Sequence, residues 1–171
     1  MAIEKISKLD AACRQLDTAI ELWFRESDPV SIHTLACAAH QIIHDIIHHR
    51  GGQSPLFDSP YVREEFRKRA KKLFHRPYSF FKHANRDPEG FIEFDASVPE
   101  LFISASIIGL QELGIKDSLL RSGFTLYFGL HNPDMFTEPF FQYIHLDVLR
   151  KTNLSRPAFL QKLRQASLLT P

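Results

Sequence analysis

The sequence predicts an all-α protein that folds as a single helical bundle of about six or seven helices. Apolar residues recur at steps of three or four through most of the 171 residues, which is the spacing of an amphipathic helix. A capping residue followed by proline stands at the start of several of these patterns, as at Asp28-Pro29 and Ser59-Pro60. Because the length suits one hydrophobic core, we expect one domain over residues 1–171.

Four helices are predicted in the first half of the chain. They cover residues 3–25, residues 29–50, the basic stretch 61–74, and a short piece at 78–84 after the interruption at Pro77. The helix at 29–50 is the least polar by sequence and carries small residues through its middle, which let neighbouring helices come close. We therefore expect it at the centre of the bundle.

The second half begins with a loop at 85–96, in which the fragment FIEF alternates like an isolated extended segment. Ser97 and Glu100 form a capping-box pattern. The helices that follow are predicted at 99–113, at 118–130 with an interruption at Gly123, at 136–151, and from Ser155 onward. We expect the first helix and those at 99–113 and 118–130 to cover the central helix.

Composition excludes several classes of protein. The net charge of +1 argues against the overall basic surface of a dedicated nucleic-acid binder. No run approaches the ~18 consecutive apolar residues of a membrane span, and the N-terminus lacks the apolar core of a signal peptide. Two cysteines, Cys13 and Cys37, fit a reducing compartment. These features predict a cytoplasmic protein that does not enter the membrane.

Many apolar residues fall in the C-terminal third. They include Phe124, Tyr127, Phe128, Phe136, Phe140 and Phe141. Exposed aromatic patches mark protein interfaces, and the sequence therefore predicts a homodimer.

A histidine stripe runs along the predicted central helix. His33, Cys37, His40, His44 and His48 follow one another at steps of three or four, so they share one face. His40 and His44, at i and i+4, are candidate ligands of a transition metal such as zinc or nickel, with a further ligand from another helix. The alternative is that no cofactor is bound and the histidines hydrogen-bond to neighbouring helices.

A basic strip lies on the helix predicted at 61–74. Its members Arg67, Lys68, Lys71 and Lys72 are candidate contacts for the phosphates of RNA. The alternative is a solvated helix face, in which Glu64 pairs with Lys68 at i,i+4.

The stretch 74–88, FHRPYSFFKHANRDP, places aromatic anchors next to chemically active side chains. Arg76 and His83 are seven residues apart, which on one continuous helix is about 10 Å along a single face.

This arrangement resembles the HEPN superfamily of small all-α proteins, whose ribonuclease members carry an Arg-x4-6-His motif on a helix. The succession of an Ala-rich helix, a basic helix and the segment KHA-x-x-DP adds to the resemblance. It implies a defence or toxin protein that cleaves RNA without a metal, with His83 as acid or base, Arg76 at the phosphate, and pairing through helices.

The same stretch also fits a catalytically inert protein. Pro77 stands where active members of the superfamily usually have a polar residue. In this alternative His83 caps a helix, Asn85 and Asp87 form a turn, and the aromatic residues anchor the segment in the core. The protein would then be a non-enzymatic helical interaction module.

Overall fold

A computed structural model describes residues 3–53, 63–65, 77–85, 87–135 and 154–167, and within these ranges every regular element is a helix. Five helices of 12 to 21 residues account for most of the described chain. The elements are α1 (Lys8–Phe24), α2 (Pro29–His49), the single turn α3 (Pro77–Phe80), α4 (Val98–Glu112), α5 (Leu119–His131), a 3-10 turn (Pro133–Met135) and α6 (Arg156–Ser167). The all-α prediction is confirmed for the described residues.

Helix α1 begins five residues later than the periodicity predicts. Ser7 caps it, because its hydroxyl accepts a hydrogen bond from the Asp10 backbone N–H at 3.0 Å and the Asp10 carboxylate accepts one from the Ser7 N–H at 3.2 Å. Ile3 and Ile6 precede this cap and are exposed. The helix therefore begins at this reciprocal cap, although the apolar spacing extends further toward the N-terminus.

Helix α4 does not have the predicted capping box. Ser97 makes no side-chain cap hydrogen bond, and instead its N–H and hydroxyl both donate to the Asp95 carboxylate, at 2.9 and 2.7 Å. Glu100, the other half of the predicted box, accepts a hydrogen bond from the Trp23 indole N–H at 2.9 Å. The Glu100 carboxylate thus binds Trp23 of α1 and does not cap its own helix.

The core takes buried residues from all five long helices of the described chain. Helix α2 packs between α1 and α4, whereas α5 and α6 pack mainly against α1 and each other. The prediction that α5 covers α2 is therefore wrong. Helix α1 contacts both groups because its C-terminal residues Trp23 and Phe24 both lie in the core. Their rings meet Phe124, Tyr127 and Phe159 at centroid distances of 4.7 to 5.9 Å.

Helix α5 is continuous through Gly123, contrary to the predicted interruption. A Cβ atom at this position would lie 2.3 Å from Cδ1 of Leu163 in α6. The glycine thus allows two helices to approach each other closely, and the packing offsets its low helix propensity.

Three of the six residues that suggested a homodimer lie inside the chain's own core. Phe124, Tyr127 and Phe128 are buried, so they form no exposed patch. Phe136, Phe140 and Phe141 fall outside the described residues, as do most of the helix predicted at 61–74 and all of that at 136–151. Dimerisation stays a prediction without the support of the three buried rings.

Two further expectations concern the surroundings of the protein. No helix in the described part of the chain is long and apolar enough to cross a membrane. Cys13 and Cys37 are both free thiols.

Candidate functional site

The segment that carries His83 leaves the helix before it reaches the histidine. Helix α3 starts at Pro77 and ends at Phe80, and the Lys82 N–H then closes a turn on the Ser79 carbonyl at 3.3 Å. The predicted helix at 78–84 is therefore shorter than expected. His83 is exposed and lies beyond the turn, so the geometry of two helical turns between Arg76 and His83 does not hold.

Phe81 is the residue that fixes this segment to the bundle. Its ring packs edge-on against His33 of α2 at a centroid distance of 5.7 Å and against Phe94 at 5.1 Å. Phe81 is half-buried in the turn that follows α3, so its ring contacts hold the end of this helix against α2 and the Phe94 segment. His83, two residues further on, is thereby presented to solvent from a fixed point.

Arg76 and the basic residues Arg67, Lys68, Lys71 and Lys72 lie outside the described residues. Arg63 is exposed, and its backbone N–H donates to the Met135 carbonyl at 3.1 Å. This contact holds residue 63 beside the 3-10 turn that follows α5. Glu64 and Glu65 are helical and exposed.

His33 is the most enclosed of the predicted stripe residues. Only 1% of it is exposed, and the rings of Phe81, Phe94 and Phe102 surround it at 5.7, 5.1 and 5.3 Å, all in T-shaped arrangements. The Cys37 thiol lies 3.4 Å from its Nε2 atom. Through these ring contacts, the imidazole links α2 to the Phe81 segment, to the Phe94 segment and to α4.

Burial controls the chemistry of the His33 and Cys37 pair. The pKa of His33 falls to about 4, first because burial disfavours the imidazolium and second because Lys82 is positively charged. Burial also raises the pKa of the Cys37 thiol. A neutral imidazole beside a protonated thiol is a packing contact and not an activated nucleophile, since the thiolate is the reactive form.

His40, His44 and His48 form a row along α2. The His40 and His44 rings are parallel at 6.0 Å, and the His44 and His48 rings follow at 6.3 Å. His40 is 8% exposed and packs on the edge of Phe102, whereas His48 is fully at the surface. The predicted stripe is therefore a real geometric feature that runs from the core to solvent.

The pKa of His40 falls to about 4, mainly by burial and additionally by the charge of His44. A neutral imidazole is the form that binds a metal ion. Within the described ranges, however, no group of three or more His, Cys, Asp or Glu side chains is placed to hold one ion. A metal bound at His40 and His44 would need a ligand from the rest of the chain.

Two ion-pair sites escaped the sequence interpretation. Arg121 donates to both carboxylate oxygens of Asp17, at 2.8 and 2.9 Å. The signal was present, because Arg121 is a single charge within an otherwise apolar or small stretch of α5, and a buried charge needs a partner. The partner, 104 residues away, has no sequence signal of its own.

The second site surrounds Trp23. The Arg156 guanidinium lies over the indole ring at 4.7 Å, and its nitrogens are 4.0 Å from Glu100 and 3.6 Å from Glu26. Burial raises the pKa of Glu100, while the Trp23 hydrogen bond and Arg156 oppose that shift. The cluster joins α1, α4 and α6. Its main structural effect is to hold α6 against the other two helices.

Comparison with known proteins finds no matching family model, no matching curated protein and no matching solved structure. The HEPN-like relationship therefore stays an inference from the residues of the 74–88 stretch.

Proposed function

We propose that the protein acts on RNA, and that His83 contacts the ribose-phosphate chain. The proposal combines the HEPN resemblance of the 74–88 stretch with one structural observation. His83 is exposed, and it follows the core-anchored Phe81 by two residues. A proton-transfer group must reach its substrate from a held position, and an imidazole in solvent beside a fixed ring meets that requirement.

The structure gives His83 no stabilising role among the described residues. The helix-cap alternative requires a hydrogen bond from its imidazole to a helix end, and no hydrogen bond of this kind joins His83 to the described chain. Phe81, one of the aromatic residues that precede His83, does contact the bundle through His33, as that alternative expected. The anchoring and the exposed imidazole are therefore separate properties of one stretch.

In the proposed reaction, the imidazole of His83 takes the proton from a ribose 2′-OH as its oxygen attacks the adjacent phosphorus. The bond from phosphorus to the 5′-oxygen breaks as that oxygen takes a proton from water, and the His83 imidazolium later returns its proton to solvent. The products are a 2′,3′-cyclic phosphate and a 5′-hydroxyl. Arg76 would stabilise the charge that develops on the phosphoryl oxygens. The lysines and arginines of the basic strip would hold the neighbouring phosphates.

The test is an assay on labelled single-stranded RNA in EDTA. We expect wild-type protein to cleave the RNA, and His83→Ala to lower the rate by ~10²–10⁴, the usual contribution of general acid-base catalysis. Arg76→Ala should also lower it. His49→Ala is the matched control, because His49 is another exposed histidine, at the end of α2.

Binding separates the remaining outcomes. If wild-type protein binds the RNA without cleaving it, and His83→Ala weakens binding, the protein is an inert RNA-binding relative. If it neither binds nor cleaves, the proposal is wrong. The thermal midpoint of His83→Ala should match that of wild type in every case.

The His40, His44 and His48 row favours a second candidate, a non-enzymatic helical interaction module that carries a metal. The parallel His40 and His44 rings support it. Elemental analysis of purified protein should then find about one zinc or nickel ion per chain, lost in the His40→Ala/His44→Ala double variant. Metal retained by that variant, or absent from wild-type protein, would exclude the row as its site.

A further inference from the structure

We propose that residues 91–95 form an open strand edge that binds an extended, basic segment of a partner protein. The segment lies between the Asp87 to Gly90 turn and the start of α4, outside any helix. Its residues alternate between exposed and partly buried, with Phe91, Glu93 and Asp95 exposed. An alternation of period two is typical of a strand.

The backbone of residues 91–94 is unpaired in the described part of the chain. No N–H or carbonyl of residues 91–94 hydrogen-bonds to another residue in the described part of the chain. Peptides bind to such edges by adding a strand, since the main-chain groups supply affinity and alternate side chains supply specificity.

The inner side of the segment is fixed. The Phe94 ring packs at 5.1 Å against both His33 and Phe81, which ties the strand to α2 and to the Phe81 segment. A partner would thus meet an edge that is already ordered, and less conformational entropy would be lost on binding.

The outer side carries an unusual ring. Phe91 is 95% exposed. This is unfavourable, because a phenylalanine ring has no polar group that could hydrogen-bond to water. Glu89 and Glu93, two residues away on either side, are exposed as well. The exposed Phe91 ring therefore follows an acidic residue of the turn and precedes an acidic residue of the segment.

Charge selects the occupant. Two copies of this strand paired antiparallel would set acidic side chains opposite one another, which is destabilising. An RNA chain would bring its phosphates to the same carboxylates. A strand with lysine or arginine on either side of an apolar residue complements the face, because its charges meet Glu89 and Glu93 while its centre covers Phe91.

The probe for the test is a fluorescein-labelled peptide, Lys-Thr-Val-Thr-Lys-Thr-Lys, titrated with the full chain and followed by anisotropy. We expect saturable binding, and no binding of the peptide in which glutamate replaces each lysine. Phe91→Ala and Glu93→Lys should each raise the dissociation constant by about tenfold or more. Glu112→Lys, a charge reversal at the exposed end of α4, should change it by less than about twofold.

Two N-methylated peptides test the strand pairing itself. One is methylated on the backbone nitrogens of its odd-numbered residues and the other on those of its even-numbered residues. Since alternate N–H groups of a strand point to opposite sides, one of these peptides should lose binding and the other should keep it. Equal binding of both would mean that charge alone holds the peptide, and the strand edge would be overturned.

The other occupants give different results. Sedimentation of wild-type protein beside Phe91→Ala would reveal a second copy, if the wild type dimerises and the variant does not. RNA binding that Phe91→Ala abolishes, with the peptide unaffected, would assign the ring to nucleic acid. Failure of the lysine peptide to bind at all would also overturn the proposal, which does not depend on the action on RNA.

Discussion

Arg121 carries a guanidinium into the core between α1 and α5. It is 4% exposed, and the carboxylate of Asp17 receives two of its N–H groups. Burial lowers the pKa of the arginine and Asp17 raises it, with a net rise. A buried charge of this kind depends on its partner, because removing one member leaves the other without compensation in a poorly solvated site.

Asp17→Asn should therefore lower the free energy of unfolding by roughly 2–4 kcal/mol, somewhat less than for a fully enclosed pair because part of Asp17 faces water. Urea denaturation measures the loss. The matched control is Arg25→Met, which removes the exposed pair of Arg25 with Glu21 on the same helix and should cost less than about 1 kcal/mol. An equal loss in both variants would contradict the special role of Arg121.

The double variant Asp17→Leu/Arg121→Met removes the charges together. We expect it to be more stable than Asp17→Asn, since no buried charge is left uncompensated. This comparison separates the cost of an orphaned guanidinium from the cost of a changed side-chain shape.

At the scale of elements, the attachment of α6 depends on small contacts at each end. Arg156 lies over Trp23 near the start of the helix, and the Tyr127 hydroxyl donates to the Leu154 carbonyl at 2.9 Å just before it. Toward the other end, Leu163 fills the space above Gly123. Arg164 adds an exposed pair with Glu21.

Gly123→Val should separate α5 from α6. The new side chain would meet Leu163, and overpacking of this kind costs roughly 1–3 kcal/mol. The fluorescence of Trp23 reports the movement, because Arg156 would withdraw from its ring. Ser122→Val, at the exposed neighbouring position, should leave the fluorescence and the thermal midpoint nearly unchanged.

Rescue tests the mechanism of this effect. In the Gly123→Val/Leu163→Ala double variant the clash is removed, so the fluorescence of Trp23 should return toward that of wild type. No recovery would mean that the valine acts through the helix backbone and not through the contact with α6.

The whole molecule has a built-in sensitivity to acid. His33 and His40 both have a pKa near 4 in the folded chain, against the ordinary 6.5. Between these values the unfolded chain binds more protons than the folded one, so stability falls as the pH falls. Each histidine contributes a slope of about 1.4 kcal/mol per pH unit at most.

We expect the free energy of unfolding to be nearly constant from these groups above pH 6.5 and to decline toward pH 4. The raised pKa of Glu100 opposes the decline at its acidic end. Denaturation curves at stepped pH values measure the slope, which His33→Gln or His40→Gln should reduce. A slope that stays at the wild-type value in both variants would mean that other groups control acid unfolding.

The sequence by itself determined the fold class and most helix positions in the described chain. At α2 the predicted 29–50 became Pro29–His49, and at α4 the predicted 99–113 became Val98–Glu112. Local physics decides such features, because a proline at the first turn and the steps of apolar residues act within one element. The histidine row was likewise readable from spacing.

Only the tertiary structure decided which contacts individual side chains make with distant parts of the chain. Phe81 lies in the turn that follows α3, and its ring contacts His33 and Phe94 from other parts of the chain. The Glu100 carboxylate accepts a hydrogen bond from Trp23, which lies 77 residues earlier in the sequence, and does not cap its own helix. Partners so distant carry no periodicity that a sequence displays, since packing between elements chooses them after each element has formed.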